Sequence, residues 1–108
     1  MATALRVPTA TVSIVDLVCE LEKGASVKEM NAAFKRYSEE EMAGFLGYSE
    51  EELVSMDYKQ SPYSGIVDAP LTAALGDNFV KVMTWYDNEW GYACRMADLA
   101  HYMAQRGL

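Results

Sequence analysis

Along 9–21, TATVSIVDLVCEL, one apolar set is Val12, Ile14, Leu17, Cys19 and Leu21, and a second, Val15 and Val18, interleaves with Ser13, Asp16 and Glu20. The β-branched content predicts one long strand over 9–21, broken at Lys23-Gly24. Ser26 stands three residues before Glu29, a reciprocal capping pair, and Val27, Met30, Ala33, Phe34 and Tyr37 follow at helical spacing. That pattern predicts a helix over 27–37. Ser38 with Glu41 repeats the pairing and predicts a short second helical turn ending near Gly44.

The next segments are short. A strand is predicted at 45–48, a turn at 49–52, another strand at 54–58 and a loop at 60–65, where Pro62 removes a backbone donor and Gly65 relaxes the chain. Residues 66–75 read as extended, with Pro70 confining them to an edge, a bulge or a strand boundary. Gly76, Asp77 and Asn78 supply turn chemistry before FVKVMTWY at 79–86, which predicts a late hairpin. Asp87-Asn88 can cap a helix over 89–105 whose apolar stripe is Trp90, Met96, Leu99, Ala100 and Met103. No internal repeat or low-complexity segment occurs.

Strands separated by one mid-chain and one C-terminal helix predict an α+β fold, an antiparallel or mixed sheet with helices on one face. No strand is followed by G-x-G-x-x-G at a helix start, so this is not a Rossmann half. At 108 residues and 51% hydrophobic, the chain can build one core and reads as a single domain over 1–108. Nine Lys+Arg against 16 Asp+Glu give a formal charge of −7, which argues against nucleic acid as a partner. No apolar run is long enough for a membrane span, and no signal-peptide pattern opens the chain. Cys19 and Cys94 are 75 positions apart, neither a disulfide framework nor a metal pair, so reduced thiols in the cytoplasm are expected.

Candidate chemistry concentrates in WYDNEWGYACR at 85–95. Asn88 and Tyr92 are four apart, so an amide and an aromatic ring would share one face near a helix start, where a small molecule can bond to one and pack on the other. The alternative is a capped helix whose aromatics fill the core. Arg6 could clamp a phosphate with its planar fork or be an ordinary surface arginine. His101 sits late in the helix, where it complements the dipole better than it serves as a base, and Cys94 lies beyond the first helical positions, which favours a structural thiol. The glutamates of 39–41 and 50–52 read as solvated faces. With one histidine and two distant cysteines the chain has no metal ligand set, and no nucleophile elbow or phosphate-cradling glycine loop is present. It holds no complete catalytic set.

RVPTATVSIVDLVCELEK, GFLGYSEEELVSMDY and NFVKVMTWYDNEWGY, in that order, resemble the C-terminal part of the catalytic domain of the phosphorylating glyceraldehyde-3-phosphate dehydrogenases and the related erythrose-4-phosphate dehydrogenases, over about 5–105. The resemblance implies that Asn88 matches the asparagine contacting the nicotinamide carboxamide, Tyr92 the tyrosine close to the nicotinamide ring, and Arg6 the arginine binding the C3 phosphate of a sugar-phosphate substrate. The family's nucleophilic cysteine, base histidine and NAD- or NADP-binding Rossmann domain lie upstream of RVPT, so Cys19 and Cys94 are not that nucleophile. Thr11 stands where asparagine is frequent, and Ala93-Cys94 where Ser-Asn is frequent.

Two expectations from different classes follow. One is a catalytic-domain fragment, inactive alone, whose partner is its own N-terminal Rossmann half. The other is a non-catalytic binding or oligomerisation module. The resemblance implies a homo-oligomer contact through the sheet face opposite the helices, for which Val15 and Val18 would offer a second apolar face.

Overall fold

The computed structural model describes residues 2–4, 7–76 and 78–107. In chain order the elements are β1 (Ala2–Ala4), β2 (Ser13–Glu20), α1 (Val27–Glu39), β3 (Leu46–Ser49), β4 (Gly65–Asp68), β5 (Ala73–Leu75), β6 (Phe79–Tyr86) and α2 (Asn88–Gln105). Single 3₁₀ turns occupy Ser55–Tyr58 and Ala69–Leu71. The strand order is β1-β2-β6-β4-β3. β5 shares with β4 the edge of β6 that β2 leaves free. β3 and β4 run parallel and the other pairs antiparallel, so the sheet is mixed and the fold is α+β. No described helix is long and apolar enough to cross a membrane.

β6 is the spine, because its alternation supplies both faces of the sheet. Val80 and Val82 join Val67 of β4 and Met30 of α1 in one buried cluster, with Phe34, Leu46 and Cys19 packed around it. The opposite face buries Ile66 with Tyr58 and Val12, and Trp85 packs against them. α1 starts at its capping pair: Glu29 N–H donates to Ser26 Oγ at 3.1 Å, and Ser26 N–H reaches Glu29 Oε1 at 3.5 Å.

Several local expectations are corrected. β2 begins at Ser13 rather than at 9, because Val12 has φ +72°, a conformation that breaks the extended run. Val15 and Val18 cannot form one second face. Val15 pairs with Thr84 and Val18 with Lys81, positions of opposite parity on β6, so the two valines project from opposite sides of the sheet. Ser38 does not cap a second helix; it lies inside α1 and its hydroxyl donates to the Lys35 carbonyl at 2.7 Å. Residues 54–58 are no strand, since Asp57 Oδ2 accepts from Val54 N–H at 2.8 Å and curls them into a turn. The extended stretch 66–75 divides at Pro70 into β4, a 3₁₀ turn and β5. The β5–β6 hairpin forms as expected; Asp77 of its turn lies outside the described residues.

Gly47 lies opposite Ile66 in the parallel pair, where a methyl group would meet Ile66 Cγ1 at 2.9 Å and Tyr63 Cδ2 at 3.1 Å. Gly47→Ala is therefore expected to cost about 1–3 kcal/mol through overpacking, read as a lower urea midpoint at unchanged slope.

Candidate functional site

Asp87 joins three parts of the chain that are remote in sequence. It is buried, 3% exposed, at the junction of β6 and α2. Its Oδ1 accepts from Trp90 N–H at 3.1 Å, the N-cap bond of α2, and from the Thr11 hydroxyl at 3.4 Å. Its Oδ2 accepts from Gln60 N–H at 2.8 Å. Gln60 takes φ +61° at that point, so the loop after the 3₁₀ turn bends to present its amide. Burial alone would push the Asp87 carboxyl up, but the N–H groups of Gln60, Trp90 and Glu89 and the Thr11 hydroxyl outweigh it and hold the group below the usual carboxylate range.

This node opens a groove of about 660 Å³ at the end of β2 and β6. One wall is the segment 7–14, including Val7, Thr9 and Thr11; the other carries Trp85, Tyr86, Ser55 and Asn88. The volume lies within the range of small-molecule sites. Trp85 is fixed from behind: its indole N–H donates to the buried Asp68 Oδ2 at 2.8 Å, and Tyr58 stacks on it at 5.4 Å between ring centres with 16° between planes. Val12, also lining the groove, keeps its positive φ although β-branched. Such strain costs about 1–3 kcal/mol, and burial of its side chain against Tyr58 and Ile66 offsets it.

Asn88 is the first residue of α2, exposed, and part of the groove wall. Its amide therefore stands at the positive end of the helix dipole, in the first turn whose Glu89 and Trp90 N–H groups are taken by Asp87. Tyr92 is on the same helix one turn on, 70% exposed and outside the groove wall. Trp90 is 45% exposed. The alternative in which the aromatics of this helix fill the core is thus overturned: only Gly91 of α2 is buried, and Met96, Leu99, Tyr102 and Met103 all face outward. Arg6 lies outside the described residues; its neighbour Val7 lines the groove.

The remaining candidates are elsewhere. Cys19 packs beside the core cluster, Cys94 is half-buried on α2, and His101 is exposed on α2, 13 residues past Asn88 or about 20 Å along the axis. A second depression of about 490 Å³ between α1 and β3 is lined by Lys35, Glu39, Glu50 and Glu51 and contains no residue of the 85–95 run. Among the described residues no group of three His, Cys, Asp or Glu could hold a metal ion. What the sequence pattern missed is the Asp87 node beyond its cap bond. Its partners Gln60 and Thr11 are 27 and 76 positions away, and no local signal announces them.

The groove thus lies between the segment 7–14 and the start of α2, on a mixed sheet of an α+β fold. Residues 1–88 match the family model described as glyceraldehyde 3-phosphate dehydrogenase, C-terminal domain, and the chain belongs to that family. It is 56% identical over 105 residues to glyceraldehyde-3-phosphate dehydrogenase 1 of Bacillus cereus, 97% of this chain and 31% of that protein. To the glyceraldehyde-3-phosphate dehydrogenase of Geobacillus stearothermophilus it is 54% identical over 97% of this chain and 31% of that one. To the chloroplastic glyceraldehyde-3-phosphate dehydrogenase A of Nicotiana tabacum it is 49% identical over 98% of this chain and 27% of that one. The chain thus spans about 30% of the length of these relatives.

Proposed function

We propose that residues 1–108 form the C-terminal portion of the catalytic domain of an NAD- or NADP-dependent oxidoreductase that oxidises a sugar-phosphate aldehyde in cytoplasmic carbohydrate metabolism, in the manner of glycolytic glyceraldehyde-3-phosphate dehydrogenase. The observation that carries the reading is Asn88 on the groove wall at the start of α2, facing the segment that follows Arg6. A primary amide offers one acceptor and two donors, the complement of a carboxamide. Asn88 would hold the nicotinamide carboxamide, Tyr92 would lie near the ring, and Arg6, by its RVPT match, would bind the substrate phosphate bidentately. Bound there, the cofactor supplies hydride acceptance. Asp87 keeps the two walls in register, and Trp85, fixed by Asp68 and Tyr58, lines one of them.

The nucleophile and base of that chemistry come from the N-terminal portion of the enzyme. Its cofactor-binding half is the partner of the outward stripe of α2, and a second copy of the chain is the partner of the sheet face carrying Ile14, Met83 and Phe79. The 108 residues are expected to be inactive alone and to support turnover when mixed with a separately produced N-terminal portion of a relative. Steady-state assay of cofactor reduction checks this. Turnover by the chain alone contradicts the inactivity, and no activity in any mixture contradicts the role.

A further inference from the structure

We infer that Arg95 is a positioning residue that fixes the angle at which α2 leaves the body of the protein. α2 is held at three points spaced four residues apart, hence along one stripe of the helix. They are the Asp87 cap, Gly91 and Arg95. At Gly91 the helix approaches the Tyr63 carbonyl so closely that a methyl group would lie 3.0 Å from its oxygen. At Arg95 the guanidinium is engaged on three sides. Nη1 donates to Ser64 Oγ at 3.0 Å, Nε and Nη2 donate to Asp98 Oδ2 at 3.0 and 2.8 Å, and the central carbon lies 4.6 Å from the centre of the Phe45 ring. Every residue from Met96 to Gln105 is exposed.

The last ten residues of α2 are therefore a lever of about 15 Å extending past Arg95. A tilt of about 10° there moves the far end by about 2.5 Å, comparable to half a helical turn. Two contacts near the helix start leave such a tilt open; the third removes it. Only a planar fork serves the Ser64 hydroxyl and the Asp98 carboxylate while lying over a ring, so lysine keeps the charge without the geometry. The partly solvated Arg95–Asp98 pair adds little to global stability, which separates an orienting role from a folding role. Resting on the proposed function, the consequence is that Arg95 sets where Met96, Leu99 and Met103 meet the cofactor-binding half.

Backbone amide residual dipolar couplings on the 108-residue chain test this, because the sheet serves as an internal reference. In Arg95→Ala the couplings of 96–105 are expected to shrink about twofold through orientational averaging while those of β2 and β6 stay unchanged. Arg95→Lys and Ser64→Ala are expected to give smaller reductions. Couplings of 96–105 equal to wild type in Arg95→Ala overturn the inference, as does loss of the sheet couplings, which would make Arg95 a general folding residue. Binding of the wild-type and Arg95→Ala chains to an N-terminal portion of a relative supplies a second readout, with about tenfold weaker association expected for the variant. Failure of the wild-type chain to associate overturns the proposed function and leaves the coupling result standing on its own.

Discussion

Asp87→Ala is expected to lower the melting temperature of the 108-residue chain by about 15 °C. The substitution removes the N-cap of α2, the Trp90 N–H bond, about 1 kcal/mol, and leaves the Gln60 N–H group without its acceptor in a part-buried site, about 1–3 kcal/mol more. For a domain of this size each kcal/mol is about 4–8 °C. Asp87→Asn is no rescue. If the amide oxygen serves Trp90 and Thr11, the NH₂ group faces the Gln60 N–H donor; flipped, it faces the Trp90 N–H. The same node sets a pH dependence. The folded carboxyl lies below its ordinary value, so its stabilising contribution is fully present above about pH 4 and is lost as pH falls through the folded value. Denaturant midpoints should fall as pH drops below about 4 in the wild type, and the Asp87→Ala chain should lack that part of the dependence.

The second large effect concerns chemistry. In a chimera in which this chain replaces the matching C-terminal segment of the Bacillus cereus relative, Asn88→Ala is expected to lower kcat about 100-fold, the scale on which misorientation of a reacting group is felt. Asn88 is exposed and donates no bond to the fold among the hydrogen bonds described, so stability should change by less than about 0.5 kcal/mol. Tyr92→Phe should be nearly neutral, because the ring and not the hydroxyl would face the nicotinamide. A matched loss of kcat and melting temperature in Asn88→Ala would contradict the assignment and make Asn88 structural.

How far the sequence discloses these features depends on the range of the interactions. α1 is legible because its cap, Ser26 with Glu29, and its apolar spacing are local. β6 is legible because every second residue faces a core. Residues 54–58 mislead, since V-S-M-D-Y alternates like a strand while one carboxylate three residues on closes a turn. Val15 and Val18 mislead in another way: counting apolar residues without parity merges two faces of one strand. At the site, Asp87-Asn88 reads as a helix start, which it is. Its further role depends on Thr11 and Gln60, brought together only when β2 and β6 pair and the 55–61 loop folds over Trp85. The stripe of α2 shows the opposite case, a real periodicity that faces outward rather than into the core.

In the proposed function, Asp87 holds the segment 7–14 and Asn88 as the two walls of one cofactor-and-substrate groove. The unmutated chimera tests it most directly, by its rate of cofactor reduction with glyceraldehyde 3-phosphate and inorganic phosphate. Turnover within about tenfold of the Bacillus cereus relative is the predicted result, since the matched segments supply the same contacts. A folded chimera that binds cofactor and shows no turnover would contradict the account.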